Sequence, residues 1–469
     1  MEIMDGVELK RGLFSLMMAA FAILFLTTTA KGAVIVAEDD VQVAVDKASP
    51  GDTIMVMAGL YDPFTVDKTL TLWGFDRPEV YAMIQTPAIT IDADGVVISG
   101  FDVLGVPEDP AGKFNYYMED LSSRKPHYKL DFKNAAVLVD GNDVIVKNMK
   151  VRRAEVGILI NGARNSTLKD NDFLGCEIGA DLVRCRDGRI ESCLFEGCNE
   201  YGARLQESDD VWLTDNEVFN TSSAGIMLMK SSHCLVEKNE FSGNWEGVAL
   251  WSASFCELKD NNADQNLYYG MVITSSSNNS IVNNSAVSTG GGEQNLMGIG
   301  ISLQNNSTYN LIFGNVVEDN FNGLEAIDGC QFNVICGNYA ANNRKGIRLK
   351  ENQNNLIYKN TFRKNGVTAR DNNSYNFWNA SLGNYYDDYR GQDRDGDGIG
   401  DEPYWIPAGS SLAVDWHPLM KPFDGTIDYA ASREDLIQYA TYLPEEELPY
   451  KMVNETMVIG SQKPTKWWL

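Results

Sequence analysis

Basic side chains are scarce in this chain of 469 residues. Its 39 Lys and Arg stand against 65 Asp and Glu, a net charge of −26 with a pI near 4.5. A surface of that sign repels polyanions, and nucleic-acid binding needs basic patches, so nucleic acid is not an expected partner. It suits an exported protein that tolerates salt and binds cations. Histidine is scarcer still: His127, His233 and His417 are the whole supply. Three histidines so scattered give no imidazole cluster in support of copper or zinc binding. Long apolar runs are absent except for Leu13–Leu26, which follows Lys10 and Arg11 and precedes the small residues Thr27 to Ala30. That pattern predicts a secretory signal over 1–32, fourteen apolar residues being short for a membrane span. With no other stretch able to cross a bilayer, the expectation is a mature chain without a transmembrane anchor, in a secreted, cell-surface or periplasmic-type space. Helical periodicity is also missing, which excludes the helical repeats of similar length.

What the chain has instead is a repeat. Glycines opening a "Gly-apolar-x-apolar" run stand at 157, 179, 202, 225, 247, 270, 300, 323 and 346, spaced by 22 or 23 residues apart from one step of 30. The long step carries an insert around Ser288–Glu293. A fixed period of this size means stacked units that bury a core only against their neighbours. After each glycine the apolar residues alternate, as in Ile158/Ile160, Ile226/Leu228 and Ile301/Leu303, which is the period of a strand. A second column lies fourteen or fifteen residues past the glycine: Asn171, Asn216, Asn239, Asn261, Asn284, Asn315, Asn338 and Asn360, with Asn148 assigned to it one coil earlier and Cys193 within it. A third holds Asn244, Asn266, Asn320, Asn343 and Asn365. Stacked asparagines can bond along a ladder of strands. The pattern predicts an all-β, single-stranded right-handed parallel β-helix with coils of about 22–23 residues.

The repeat "GIxLxxSxxNxIxxNxF" resembles that of the NosD-like β-helix family, also grouped with carbohydrate-binding proteins and sugar hydrolases. Val41–Asp62 resembles the family's amino-terminal cap and Asn384–Pro407 its carboxy-terminal Asp/Gly-rich segment, so the likeness covers roughly residues 34–423. It is specific for fold and weak for activity. Periplasmic copper handling is implied by the family name alone.

The expected organisation is a signal over 1–32, a cap and first coils over 33–132, regular coils over 133–383, a closure over 384–423 and a tail over 424–469. A short helix N-capped by Asp39 or Asp40, with Val41, Ala44, Val45 and Ala48 on its apolar face, would cover the first coil's open edge. Residues 107–131 form an inserted loop, rich in aromatics, that either walls a groove or covers a face of the solenoid. In the tail, a helix over Ser432–Tyr442 and a docking role for Trp467 and Trp468 are expected. Cys176 and Cys198, like Cys234 and Cys256, recur at the coil period, which allows either inter-coil disulfides or buried thiols; thiols are favoured. Nine sequons permit glycosylation.

Function on a solenoid lies on its faces. Tyr201, Trp245, Trp251, Tyr268 and Tyr269 fall in one region beside Met227 and Met229, and aromatic rings pack well on the apolar faces of sugars. This region is the candidate ligand site, with a polysaccharide or envelope glycan as partner; contact with the inserted loop or self-association are its alternatives. Asp181, Glu200, Arg204 and Glu246, expected on neighbouring coils, are the weak catalytic candidates for a polysaccharide lyase, hydrolase or C5-epimerase, but no dense acidic trio accompanies them. Near the end, Asp393, Asp395, Asp397, the Ile399 carbonyl and Asp401 follow the alternation of a D-x-D-x-D-G calcium loop. Tyr404 stands where an EF-hand needs a bidentate Glu, so a structural calcium loop of another kind is expected. The sequence thus points to a non-catalytic β-helix that binds carbohydrate or forms part of an envelope layer.

Overall fold

The computed structural model describes residues 32–37, 39–83, 86–106, 135–290 and 297–423, with the strands Tyr450–Val453, Thr456–Ile459 and Thr465–Lys466 beyond them. The signal segment up to residue 31, the loop over 107–131, residues 291–296 at the glycine-rich insert and the tail's expected helix and tryptophans lie outside the described residues.

Each regular coil supplies one strand of six residues and two of three, as in Ile178–Val183, Arg189–Glu191 and Leu194–Glu196. Equivalent strands pair in parallel one coil apart. The long strands build a fourteen-stranded sheet, and the next set a fifteen-stranded one. The third sheet runs as eight and then five strands, joined through single bridges at Asn262. The expected all-β solenoid, its coil length and the short helix near the amino end are therefore present.

The alternation explains the core. Ile158, Ile160, Leu182, Leu205, Leu228 and Leu250 point inward into one apolar core that runs the length of the solenoid. Each such side chain contributes about 1.5–3 kcal/mol on burial. Phe173 and Phe195 stack in successive coils, centroids 4.6 Å apart and planes 2° from parallel. The glycine column is a matter of space: a Cβ at Gly179 would lie 2.6 Å from the Gly202 carbonyl oxygen and 2.5 Å from the Phe195 ring.

The corners carry the asparagines. A residue in the left-handed region, such as Asp215, Lys238 or Asp260 with φ near 55°, turns the chain, and the residue after it points inward. Asn239 Oδ1 accepts the Asn216 N–H (2.9 Å), Asn261 Oδ1 accepts the Asn239 N–H (3.0 Å), and the series continues through Asn284, Asn315, Asn338 and Asn360 to Asn384. Each amide also donates to a carbonyl within the coil stack, as Asn239 Nδ2 does to Leu213 (2.9 Å). A second ladder runs Thr221, Asn244, Asn266 and, resuming at the start of the insert, Thr289, Asn320, Asn343, Asn365. A third, not read from the sequence, runs Cys256, Asn279, Asn310, Asn333, Asn355, Asn376. Asn148 is corrected: it is exposed, with φ 51°, in the turning position, and the buried Met149 holds the ladder place beneath Asn171. All eight cysteines are free and buried. Cys193 occupies the first ladder and Cys256 the third, where each backbone N–H meets an asparagine oxygen.

Both ends are closed. At the amino end the helix Val41–Lys47 is N-capped by Asp40, whose carboxylate accepts the Val43 N–H (3.2 Å), and Val41, Ala44, Val45 and Ala48 are buried. Lys68 Nζ bonds the carbonyls of Val45 and Ala48 at the helix's other end. At the carboxy end, buried Tyr386 stacks between Phe362 (5.6 Å) and Tyr404 (3.8 Å), beside buried Trp378.

Candidate functional site

Parallel register fixes which outward side chains of the long-strand sheet become neighbours. The middle column reads Leu159, Asp181, Arg204, Met227, Ala249, Val272, Ser302, Glu325, Arg348, Arg370. A flanking column carries Tyr201, Glu246, Tyr269, Asn322 and Lys345, and the opposite one Met229, Trp251, Thr274 and Gln304. The face is thus banded: an ion pair, then an apolar and aromatic stretch, then a polar and charged one.

In the first band Asp181 and Arg204 are Cα partners, both fully buried. Arg204 donates from Nε to Oδ1 (3.0 Å) and from Nη2 to Oδ2 (2.8 Å). Such a forked pair satisfies both groups. Tyr201 lies against the guanidinium, 5.7 Å from ring centroid to Cζ. Burial, with Glu200 beside it, pushes its hydroxyl up to about 12. Glu200 is buried. Glu246 corrects an expectation: it stands three coils from Asp181, about 14 Å at the spacing of parallel strands. The carboxyl pair of a glycosidase needs about 5–9.5 Å.

In the second band the expected aromatic region is assembled, with a difference. Ala224, Met227, Met229, Ala249 and Val272 form a buried apolar cluster on the outer face, with Tyr201, Trp251 and Tyr269 packed on its rim. The two methionines are therefore buried beneath the site. Trp245 and Tyr268 occupy the turns just before their strands and stack on each other (5.3 Å, 9°), with Tyr268 edge-on to Tyr269 (4.6 Å, 87°). Trp245 is the most open ring, 36% exposed. The Asn244–Asn266 bond anchors this corner inward and so turns Trp245 out. Tyr269 Oη accepts Gln304 Nε2 (2.7 Å), and burial raises its hydroxyl pKa.

The acidic loop is separate. Carboxylate oxygens of Asp393, Asp395 and Asp397 lie within 4.8 Å of one another, the one such group of His, Cys, Asp and Glu found among the described residues. Asp393 accepts the N–H groups of Gly396 (2.7 Å) and Gly398 (3.0 Å), and Asp397 that of Ile399 (2.8 Å). Asp401 does not join the cluster; it accepts the Arg394 N–H (2.9 Å). Ile399 bridges to Leu419. Three convergent hard oxygens fit calcium or magnesium and suit copper poorly.

Comparison with known proteins bears on the fold. The chain matches the right-handed β-helix region over residues 131–241 and 156–306, and the periplasmic copper-binding protein NosD over 292–391. Among solved structures it is similar to the Dettilon tailspike protein at 14% identity and TM-score 0.53, over 65% of this chain and 66% of that one. It also resembles the Azotobacter vinelandii mannuronan C-5 epimerase AlgE6 A-module (12%, TM-score 0.49, 72% and 93% covered) and the Yersinia enterocolitica family 28 exopolygalacturonase (11%, TM-score 0.47, 75% and 79%). No curated protein matches. No helix among the described residues is long and apolar enough to cross a membrane.

Proposed function

We propose that this chain, which belongs to the NosD-like family of right-handed β-helix repeats, acts outside the cytoplasm as a non-catalytic carbohydrate-binding protein. The observation that carries the reading is the second band of the long-strand sheet. There Tyr201, Trp251 and Tyr269 ring an apolar cluster, and Trp245 stacks on Tyr268 at its edge. Such a surface offers apolar ring faces with polar rims, which suits sugar rings. Catalysis is less well supported, because Asp181 is engaged by Arg204 and Glu246 stands three coils away. For the copper reading, the oxygen cluster of Asp393, Asp395 and Asp397 favours a hard cation. We assign that cluster a structural calcium ion, which would offset two of the three negative charges and screen their repulsion.

The test is retention of the protein on a panel of insoluble polysaccharides. Wild type should be retained without releasing reducing ends or unsaturated uronates. Trp251→Ala and Trp245→Ala should each weaken retention about 5- to 30-fold, the loss of one aromatic contact of about 1–2 kcal/mol, with an unchanged circular dichroism spectrum. Product formation, or retention indifferent to both substitutions, would sink the reading.

A further inference from the structure

The third band of the same face is basic, in a chain whose net charge is −26. Arg348 and Arg370 are Cα partners on adjacent strands, about 4.8 Å apart. Like charges placed so on one face destabilise a sheet unless something neutralises them. Glu325, the acid in their column, is already engaged. Its Oε2 accepts Arg348 Nη1 (2.6 Å) and Asn322 Nδ2 (2.7 Å), and its Oε1 accepts Ser302 Oγ (3.3 Å). On the far side of Arg370 the next strand offers only Ala408. Arg370 Nε is buried and has no hydrogen-bond partner. Asp371 also has an unbonded oxygen, but neighbouring residues of a strand point to opposite faces, and Asp371 lies inside, accepting Trp378 Nε1 (3.0 Å). At the adjoining corner Arg344 and Lys345 both lie over the Phe321 ring, at 4.8 and 4.4 Å. Desolvation, and then Arg348, Arg370 and Arg344, hold the Lys345 ammonium below the ordinary lysine range.

We propose that Lys345, Arg348 and Arg370 form an oxyanion site that takes the carboxylate of an acidic, uronate-bearing glycan. A guanidinium presents a planar fork that matches a carboxylate, and the buried Nε is a donor already shielded from water. The site is continuous with the aromatic band. Gln304 Nε2 donates to Tyr269 Oη (2.7 Å) and to Ser302 Oγ (3.0 Å), Ser302 donates to Glu325, and Glu325 accepts Arg348. A sugar chain lying along the sheet would meet rings first and cations a few coils later. The inference rests on the carbohydrate reading above and narrows it to an anionic glycan.

The experiment is calorimetric titration of the full chain with polygalacturonate, uncharged dextran and inorganic phosphate at low ionic strength, repeated for Arg370→Gln and Lys345→Gln. The expected result is preference for polygalacturonate over dextran, with each substitution weakening polygalacturonate binding about 10- to 100-fold, the loss of one charge-assisted contact. Melting temperature should not fall, and in Arg370→Gln should rise if anything as the like-charge pair is relieved, while any dextran binding stays unchanged. Polygalacturonate binding that neither variant alters overturns the proposal. Equal binding of dextran and polygalacturonate, unmoved by either variant, leaves the carbohydrate reading standing and removes this one. Phosphate binding lost in Arg370→Gln without polygalacturonate binding overturns the assignment to a sugar carboxylate. No binding of any of the three overturns both readings.

Discussion

At the scale of single residues, Asp415 shows how the closure uses a buried carboxyl. It accepts the Asn384 N–H (2.7 Å), the His417 N–H (3.0 Å) and the Tyr386 hydroxyl (3.1 Å). Even so, burial pushes its pKa up to about 6. In the unfolded chain an aspartate titrates near 3.9. Between those values the folded state holds a proton that the unfolded state has released, so its contribution to stability grows as pH falls through about 6 and levels off near 4. A shift of about two units corresponds to roughly 3 kcal/mol. Melting curves of wild type and Asp415→Asn at pH 7.5 and 5.0 test this. Acidification should favour wild type relative to the variant, the other carboxylates cancelling in the comparison. A constant difference across that range would mean Asp415 is ionised throughout. The thiols behave differently: burial pushes Cys176 up to about 11 and Cys185, Cys193 and Cys330 up to about 12, which makes them poor nucleophiles at neutral pH.

At the scale of elements, the corner ladders hold the coils in register. Replacing Asn261 by Ala removes the oxygen that accepts the Asn239 N–H (3.0 Å) and Nδ2 (2.9 Å), and the amide that donates to Val236 (2.7 Å). Stranding a buried donor costs about 1–3 kcal/mol. Asn261→Ala should therefore lower the unfolding free energy, read from urea denaturation, by that amount. Asn148→Gly, on the exposed turning position whose φ of 51° suits glycine, should change it by less than about 0.5 kcal/mol. Equal effects would show that the ladder contributes nothing beyond the turn. Much of this element was legible beforehand, because the glycine spacing, the strand alternation and two asparagine columns recur in sequence at one period. The third ladder was not, since its asparagines begin at Asn279 and Cys256 holds the place one coil earlier. Asn148 was misplaced by one residue, because the turning position and the ladder position are adjacent and both take asparagine. The aromatic band was legible from the residues on either side of the glycines. The basic band was missed: Lys345 and Arg348 are separated from Arg370 by a full coil of sequence, and only the register makes them neighbours. That Met227 and Met229 are buried depends on what surrounds the outer face, which strand alternation does not report.

At the scale of the whole molecule, a solenoid's core runs along its axis instead of closing on itself, so each coil depends on the next and unfolding begins where a coil lacks a neighbour. The amino end is covered by a helix bound through apolar contacts and Lys68. The carboxy end is covered by a segment that includes the acidic loop. Gly400 N–H bonds the Pro418 carbonyl (2.8 Å) and Met420 N–H the Gly398 carbonyl (3.0 Å). Leu419 in turn bridges to Tyr385, on the last strand of the third sheet. The loop is therefore tied to the strand that finishes the solenoid, and its three carboxylates repel one another unless a cation sits between them. A calcium ion there would act on the whole molecule by keeping its last coil closed. A ligand that binds only the folded loop, at 100 times its Kd, adds about 2.7 kcal/mol. Chelation should thus lower the temperature at which amides of the closure, such as those of Asn384 and Leu419, lose protection from hydrogen exchange, while mid-solenoid amides such as that of Asn239 hold on longer. Asp395→Asn with Asp397→Asn should mimic chelation and abolish rescue by added calcium. If chelator and calcium leave the exchange of both regions unchanged, the acidic loop is a solvated turn and the closure stands on Tyr386, Trp378 and Asp415 alone.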